Sequence, residues 1–571
     1  MKMKNLYIKQ MVFAAVAMAL LCNACSDEWN DHYDMNDASM VNNGTLWNAI
    51  TADGNLSNFA RVVEGCGYSA ILNGSQTFSV FAPTNDRLTS DQADSLIASF
   101  NAQKANGVSS DDNTVVRQFL QNHISLYKHP VSSLTNDSIM LMNGKYAVLT
   151  PNAIDGMNFL SKNTLYSNGV LFTLGDQIKY FPNVFEYLGI DNELDSVYNF
   201  INSYSEYVFQ PSMSVPGGIV DGRTVYLDSV TVLNNILFNA LGEINSEDST
   251  YWMVAPVNDE WNKLVSEYTD YFNYATNVAK YDSMQYANAR LAIVRGTIFS
   301  RTENPDEAFN DSAVSTSALS YTTRRLLEED PYYIFYKPFA SGNIFDGTED
   351  IVCSNGHVRK AKTLNIDNRN TFLQTIKVEA ESVLYQDTIQ DAEEPLTVRR
   401  VTADNPFYDK ISGNAFVDVT PKTSSTNPLV RFNIPNVLSN VGYDIYAVMA
   451  PYAAYDTLAT HQQRLPNAFR PLFRVTDKNG KMGDRTINKT YNTVADENGE
   501  TNVVDTVLLQ SNYTFPTCSY GLSEPQLKLQ IRSTVTSRQT STYSRTLHID
   551  CFLFVPHVEA TEPDNAKRNN Q

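Results

Sequence analysis

The sequence predicts an α+β protein in which two copies of one module precede an all-β sandwich. A run of aromatic and β-branched residues that ends in Ala-Pro, with Asn-Asp after it, occurs at residues 77–86 and again at 250–259. An Asn-Gly dipeptide between apolar runs occurs at 168–169 and 355–356. From about residue 376 the strand-like runs are short and separated by Asn, Pro, Gly and Asp, as in a sandwich. The repetition of both patterns in the same order indicates a duplicated module.

The Ala-Pro pattern predicts a buried strand that stops at its proline. Pro83 and Pro256 have no N–H to donate to a neighbouring strand, so we expect each strand to end there. The short polar side chains that follow can accept hydrogen bonds from free N–H groups, which predicts a cap on the following helix. The residues with these structural roles are Phe81, Ala82, Pro83, Thr84, Asn85 and Asp86 in the first copy and Ala255, Pro256, Asn258 and Asp259 in the second.

The Asn-Gly dipeptides predict a hairpin near the end of each copy. Asn168-Gly169 and Asn355-Gly356 both follow and precede apolar residues, and Asn-Gly is a strong signal for a tight hairpin turn. In each copy roughly 80–100 residues separate the Ala-Pro pattern from the Asn-Gly pattern, an interval of module size.

Together, the two patterns resemble the signatures of the fasciclin (FAS1) family. The resemblance implies tandem FAS1 domains, each a β-wedge with helices, at residues 42–181 and 182–375. It also implies a role in recognition or adhesion without catalysis. Many members of the family carry Tyr-His where this chain has Asn122-His123, so integrin-type binding is not carried over and His123 is interpreted as structural.

Residues 376–560 resemble a jelly roll of the galactose-binding-like, carbohydrate-binding-module type. The resemblance lies in the opening Val378-Glu379-Ala380-Glu381 and in the closing Leu547-His548-Ile549-Asp550. Some domains of this type hold a structural Ca²⁺ with acids of the first and last strands, and Ca²⁺ requires oxygen ligands. Glu379, Glu381 and Asp550 are therefore candidate ligands, with ordinary strand-end acids in water as the alternative. No other cofactor is implied.

A glycan-binding site needs exposed aromatic rings beside polar groups, because the C–H faces of sugars pack on rings. Tyr452 and Tyr455, beside Arg464, are the first candidates for ligand binding, and Phe407 and Tyr408 come next. Each of these aromatic residues also fits an ordinary place in the core or on the surface.

Residues 1–24 predict a lipoprotein signal peptide. The apolar run 11–21 follows three lysines and is short for a membrane span. Ala24 before Cys25 resembles a bacterial lipobox, which makes Cys25 the lipidated residue. Cleavage elsewhere, as in an ordinary secreted protein, is the alternative.

The segments at the two ends of the mature chain are polar. Residues 25–41 predict an acidic tether whose start, Ser26-Asp27-Glu28, resembles an export signal for the outer face of a bacterial outer membrane. The expected location is therefore the outer membrane, with a lipid anchor and the protein facing the exterior. Residues 561–571 predict a disordered tail.

Charge and composition exclude several classes of function. The net charge of -20 gives no general electrostatic footprint for nucleic acid. We find no G-x-S-x-G elbow, P-loop, H-E-x-x-H or dinucleotide fingerprint, so catalysis is not indicated. Cys518 and Cys551 fit either a disulfide or two buried thiols.

These observations predict a non-catalytic cell-surface lipoprotein that binds a ligand. The first interpretation is glycan binding as an accessory to an outer-membrane glycan-uptake system, whose partners are a TonB-dependent transporter and its binding lipoprotein. The alternative is a cell–cell or cell–matrix adhesin that binds a protein through its FAS1 domains. A glycoside-acting enzyme would need two carboxylates facing across a cleft at about 5–10 Å, which the sequence does not place.

Overall fold

The structure, a computed structural model, describes residues 42–558 except for 111, 210, 212–214, 221–222, 229–230, 302–311 and 319–331. The signal peptide, the tether with Cys25 and the C-terminal tail lie outside the described residues. The chain divides into two compact units, Met1–Pro182 and Asn183–Gln571. The division lies beside the predicted boundary at 181/182, and the predicted boundary at 375/376 falls inside the second unit. Among the described residues no helix has both the length and the apolar character to cross a bilayer.

The first unit packs helices against a seven-stranded sheet. Its helices are α1 Leu46–Ala52, α2 Ser57–Gly65, α3 Ser69–Leu72 and α4 Ser90–Ala105. Its strands are β1 Phe78–Pro83, β2 Ile124–Leu126, β3 Asp137–Met140, β4 Tyr146–Leu149, β5 Ala153–Ile154, β6 Met157–Tyr166 and β7 Gly169–Leu174. The strand order is β2-β1-β7-β6-β5-β4-β3, and a bridge between Ser125 and Leu141 joins the two ends.

Strand β1 is buried along its whole length because it contributes to a core on each face of the sheet. Val80 and Ala82 pack with the helices, whereas Phe81 lies inside the closed sheet against Phe172, with ring centroids 4.9 Å apart. This alternation follows from the two-residue period of a strand. As predicted, the strand ends at Pro83.

The second module repeats this plan at the start of the second unit. Its helices are α5 Val184–Leu188, α6 Asp195–Asn202, α7 Phe238–Leu241, α8 Asn258–Thr269 and α9 Tyr281–Val294. Its strands are β8 Ser205–Phe209, β9 Val215–Val220, β10 Arg223–Asp228, β11 Thr231–Asn235, β12 Thr250–Pro256, β13 Ile298–Arg301, β14 Ser312–Ala318, β15 Tyr332–Tyr336, β16 Glu349–Cys353 and β17 Gly356–Ala361.

The two modules share a central parallel pair of strands. β1 runs parallel to β7 with Phe78 opposite Gly169, and β12 runs parallel to β17 with Tyr251 opposite Gly356. The second module differs in an inserted ribbon, in which β8 pairs with β11 and β9 with β10. Its main sheet has the order β15-β14-β13-β12-β17-β16.

The Asn-Gly asparagines are buried clamps between the hairpin and the first helix of their module. The Asn168 Oδ1 accepts from the Leu46 N–H at 2.8 Å, and the Asn355 Oδ1 accepts from the Val184 N–H at 2.8 Å. In both modules the Nδ2 donates to two backbone carbonyls of the segment that precedes the Ala-Pro strand. The hairpin signal therefore also marks the residue that connects the start and the end of the module.

The asparagines after Ala-Pro do not cap the following helix, contrary to the prediction. The Asn85 Oδ1 accepts from the Asn58 N–H at 3.0 Å in the first turn of α2, and the Asn258 Oδ1 accepts from the Ser196 N–H at 2.9 Å in the first turn of α6. Both helices precede the strand in sequence. The following helix α4 has its own cap at Thr89, and α8 begins at Asn258 itself. Asp86 and Asp259 are exposed.

The C-terminal region is a sandwich of two antiparallel sheets. Its strands are β18 Ile376–Glu379, β19 Gln386–Gln390, β20 Thr397–Arg400, β21 Ala415–Val419, β22 Leu429–Asn433, β23 Gly442–Met449, β24 Ala468–Thr476, β25 Met482–Thr486, β26 Tyr491–Asn492, β27 Asp505–Thr514, β28 Leu527–Ser533 and β29 Leu547–Pro556. One sheet has the order β20-β21-β29-β23-β27 with β18 beside β29. The other has the order β19-β22-β28-β24-β25 with β26 beside β24. This arrangement confirms the predicted α+β class with a β-sandwich.

The sandwich and the second module share buried hydrogen bonds. The Ser439 Oγ donates to the Asp270 carbonyl at 2.9 Å and accepts from the Asn273 N–H at 2.9 Å. The Tyr274 hydroxyl donates to the Tyr520 carbonyl at 2.8 Å. Since one continuous hydrophobic core also extends through both parts, we expect them to unfold together.

Replacing Ser439 by alanine is expected to destabilise the second unit by about 1 kcal/mol, because the half-buried Asn273 N–H loses its acceptor, whereas the Asp270 carbonyl keeps the Asn440 Nδ2 as a donor. Calorimetry should show one shifted transition for the second module and the sandwich. Ser537→Ala removes a hydroxyl from an exposed position and should leave the transition unchanged. Separate transitions for the two parts would contradict a shared folding unit.

The four described cysteines are free and buried: Cys66, Cys353, Cys518 and Cys551. The disulfide alternative for Cys518 and Cys551 is therefore not realised. Burial raises the pKa of the Cys66 thiol to about 11 and that of Cys518 to about 12. These thiols remain protonated at neutral pH and act as small apolar groups.

Candidate functional site

The outer face of one sandwich sheet carries polar side chains on its central strands. In β29, Leu547 and Ile549 face the core between the two sheets, and His548 and Asp550 lie on the opposite face. In β21, Asp418 lies directly opposite His548. Both strands are buried because loops cover this face, so these polar groups must be satisfied by one another or by a ligand.

A cleft of about 380 Å³ opens at this face beside His548. Its lining is polar, with aromatic rings from two tyrosines and positive charge from two arginines. The lining residues are Arg399, Asp418, Thr420, Pro421, Ser424, Tyr452, Gln462, Gln463, Thr540, Tyr543, Ser544, Arg545, Thr546 and His548. A cavity of this size, with hydroxyl, amide and guanidinium groups beside rings, suits a polar organic ligand.

A stack of rings and charges forms one wall of the cleft. The Asp418 Oδ1 is 2.7 Å from the His548 Nδ1, and its Oδ2 accepts from the Arg399 Nε at 2.6 Å. The Arg399 guanidinium lies 4.5 Å from the ring centroid of Tyr455. The Tyr452 ring lies 5.2 Å from the His548 ring, centroid to centroid. Each member therefore fixes the position of its neighbours.

The carboxylate of Asp418 stays ionised although it is buried. Burial acts to raise its pKa, but the hydrogen bonds and charges of His548 and Arg399 outweigh burial and hold the pKa below its usual value. The negative charge of Asp418 is thus already compensated by its contacts with Arg399 and His548.

The structure places the predicted aromatic candidates in different surroundings. Tyr452 lines the cleft. Tyr455 is not among the lining residues, and its ring packs against the Arg399 guanidinium. Arg464 is not among the lining residues: its Nη2 donates to the Thr457 carbonyl at 2.6 Å, and its Nη1 lies 3.6 Å from Glu500.

Phe407 and Tyr408 lie away from the cleft lining. Both rings pack against a small apolar core under the loops that cover the sheet. Of the five ligand-binding candidates, the structure therefore brings only Tyr452 to the cleft surface. Tyr455 contacts Arg399, which lines the cleft.

The Asp418–His548 pair does not form a nucleophilic triad among the described residues. The nearest serine of the lining in sequence, Ser544, donates its Oγ to the Thr546 carbonyl at 3.2 Å. A hydroxyl nucleophile must be hydrogen-bonded to the histidine that activates it.

The calcium candidates form a buried acidic cluster on the same face. The ligand atoms of Glu379, Asp550 and Cys551 lie within 4.8 Å of one another. The Ser412 Oγ donates to the Glu379 Oε1 at 2.5 Å, and the Ser412 N–H donates to the Asp550 Oδ2 at 3.2 Å. The loop at Ser412 thus closes over strands β18 and β29.

Three carboxylate oxygen atoms of this cluster are buried and have no hydrogen-bond partner among the described residues. They are Glu379 Oε2, Glu381 Oε2 and Asp550 Oδ1. Burying a carboxylate oxygen without a partner lowers the stability of the folded state. Several such oxygens close together are the kind of ligand that Ca²⁺ binds. The residues present fit the ion that the resemblance implies.

Two carboxylates of the cluster, Asp550 and Glu381, have raised pKa values. Burial, reinforced by Glu379 and Glu381, raises the pKa of Asp550 to about 8. Burial, reinforced by Glu379, raises the pKa of Glu381 to about 7. Burial also raises the pKa of the Cys551 thiol far above its usual value, so the oxygens are the donors available to a hard cation.

The sequence did not indicate Arg399, Asp418, Arg545 or His548 as site residues. They are distant in sequence, and antiparallel pairing of β21 with β29 brings Asp418 and His548 together. One signal was present. His548 and Asp550 alternate with apolar residues in the last strand, so the two side chains share a face, and a site that includes Asp550 could also include His548.

No family model matches the chain, and no curated protein matches it. Among solved structures, a FAS1 domain pair from the insect cell adhesion molecule fasciclin I is 12% identical and covers 56% of this chain and 99% of that chain, with a TM-score of 0.18. The xylan-binding CBM22-1 domain of Paenibacillus barcinonensis Xyn10C is 16% identical and covers 33% of this chain and 96% of that domain, with a TM-score of 0.19.

Both folds that the sequence resembles are found among the similar structures. A Paenibacillus xanthan lyase is also similar, at 13% identity and a TM-score of 0.18, and the match covers 45% of this chain and 21% of the lyase. Because all three TM-scores are low, the description of the two modules and the sandwich rests on the strand order and registers given above.

Proposed function

We propose that this protein binds a glycan, without catalysis, in the cleft beside Tyr452. The observation that carries the proposal is the cleft itself, in which a tyrosine ring fixed by its neighbours faces hydroxyl, amide and guanidinium groups. A sugar presents apolar C–H faces and many hydroxyls, so this combination of ring and polar groups suits it.

The cellular context of the proposal follows from the N-terminal sequence. A lipid on Cys25 would anchor the chain at the outer membrane, facing the exterior, with residues 26–41 as a tether. A surface-bound glycan-binding protein would serve as an accessory to a glycan-uptake system made of a TonB-dependent transporter and its binding lipoprotein. Mass spectrometry of the isolated protein would detect acyl chains on Cys25.

We also propose a structural Ca²⁺ at the acidic cluster. Glu379, Glu381 and Asp550 would hold it through their unpartnered carboxylate oxygens. The ion would neutralise the buried carboxylates and hold the loop at Ser412 against the last strand. That strand also carries His548, so the ion would stabilise the floor of the cleft.

A second candidate function, adhesion to a protein, is favoured by the outward face of the first FAS1 module. Met140 and Tyr146 lie opposite each other on β3 and β4, and Val148 follows on the same face of β4; all are exposed. Leu160 on β6 is also exposed. Neighbouring exposed apolar side chains are typical of a protein interaction surface.

Replacing Tyr452 by alanine is expected to weaken glycan binding about tenfold, since the loss of one ring contact is worth about 1.4 kcal/mol. The full-length protein would be tested on a panel of plant, fungal and host polysaccharides. Gln462→Ala, at another lining position whose Nε2 donates to the Thr540 carbonyl, should also weaken binding.

Tyr286→Ala is the matched control, because this half-exposed tyrosine lies on α9, outside the cleft. It should bind like the wild type. Absence of binding to every glycan of the panel would contradict the proposal and make adhesion through the FAS1 modules the leading function.

A further inference from the structure

We propose that the ligand of this cleft is an anionic glycan, one that carries carboxylate or sulfate groups. The inference rests on the proposed function and names its substrate class. It begins from the charge of the lining residues, which is opposite to that of the chain as a whole.

The cleft is a positive site in an acidic protein. The chain has 43 Lys and Arg against 63 Asp and Glu. The formally charged residues of the lining are Arg399, Arg545 and Asp418, with His548 as a titratable neighbour. The lining therefore has a net positive charge even when His548 is neutral. A neutral sugar gains nothing from such a charge, whereas an anionic one is attracted to it.

The single aspartate of the cleft does not cancel the positive charge that a ligand meets. Asp418 is 2% exposed, and its two oxygens face His548 and Arg399. It serves as an internal counter-charge that fixes the Arg399 guanidinium in place. A ligand therefore meets the outer edges of the wall rather than the carboxylate.

Arg545 is the cation available to a ligand. Its Nε donates to the Val535 carbonyl at 3.2 Å and its Nη1 donates to the Ser424 carbonyl. Carbonyls orient a guanidinium but leave its charge uncompensated, and no carboxylate among the described residues pairs with Arg545. Its Nη2 keeps its donors, and a guanidinium held in this way is suited to bind a carboxylate or sulfate.

The rest of the lining is consistent with this assignment. Thr540, Tyr543 and Gln462 supply neutral donors and acceptors around Arg545, as the hydroxyls of a sugar ring require. Tyr452 supplies an aromatic ring beside His548. The cleft thus offers both an aromatic platform and a fixed cation.

The experiment compares two ligands that share one backbone and differ in charge. Galacturonic acid oligomers and their methyl esters share one backbone, and esterification removes the negative charge. We expect the full-length protein to bind the free acids at least about tenfold more tightly than the esters, a ratio that should shrink as salt is added. Sulfated oligosaccharides form a second arm, which distinguishes carboxylate from sulfate recognition.

Arg545→Gln should reduce affinity for the acids about tenfold, with little effect on the esters. Arg485→Gln removes the same charge from an exposed position on β25, in the other sheet, and should bind like the wild type. Equal losses in both variants would overturn the inference, because they would indicate a non-specific charge effect.

Failure of this inference can be told apart from failure of the proposed function. Equal or tighter binding of the esters and of neutral glycans, with loss in Tyr452→Ala, would overturn the anionic class and leave glycan binding intact. No binding of charged or neutral oligosaccharides would overturn both.

Discussion

Gly356→Ala is expected to destabilise the second unit by roughly 4 kcal/mol or more, enough to lower its Tm by roughly 5 °C. Gly356 begins β17, and a Cβ built on it would lie 1.8 Å from the Tyr251 carbonyl oxygen. Its φ of +133° is also one that residues with side chains rarely adopt. The clash is with backbone inside the central parallel pair, so it can be relieved only if β12 and β17 move apart.

Gly347→Ala is the matched control. Gly347 also has a positive φ, of +68°, but a Cβ there would have no atom within 4 Å. Its cost should be that of left-handed backbone alone, about 1–2 kcal/mol. Thermal unfolding followed by calorimetry measures both. Equal costs for the two variants would contradict the close approach of β12 and β17.

The sequence predicted the parts of the fold that are encoded locally. The prolines at 83 and 256 end their strands, and the two Asn-Gly turns form hairpins. The partners of these elements could not be read from the chain, since pairing depends on contacts between distant residues. This explains why the cap at Asn85 was assigned to the following helix: its N–H partner, Asn58, is 27 positions earlier.

The sequence suggested site residues where a single residue type is itself a signal. It suggested none where two residues distant in sequence must come together. Tyr452 was proposed because aromatic residues beside polar ones suggest sugar binding, and the acids at 379, 381 and 550 because hard ligands suggest a cation; both roles stay predictions. Arg399 is an ordinary surface arginine in the sequence. It acquires its role only from Asp418 and Tyr455, with which the fold brings it into contact.

In the absence of divalent cations, the stability of the second unit is expected to fall between about pH 4 and pH 8. The folded-state pKa values of Asp550, about 8, and Glu381, about 7, lie above the unfolded values near 4. The native state therefore binds more protons than the unfolded state in this range, and the free energy of unfolding decreases as pH rises. The contribution of these two groups is fully present below about pH 4. Thermal unfolding in chelator across this range measures the effect.

Calcium should reverse this loss, because an ion compensates the charges that burial disfavours. At pH 8 the Tm should rise by several degrees with saturating Ca²⁺, since a ligand at about 100 times its Kd contributes about 2.7 kcal/mol. At pH 5 protons compete for the same oxygens, so the rise should be smaller. Asp550→Asn should abolish the response to Ca²⁺ and flatten the pH dependence, whereas Asp409→Asn, at an exposed position, should preserve both. An equal Tm for the wild type in chelator and in Ca²⁺ at pH 8 would show that these carboxylates hold protons rather than an ion.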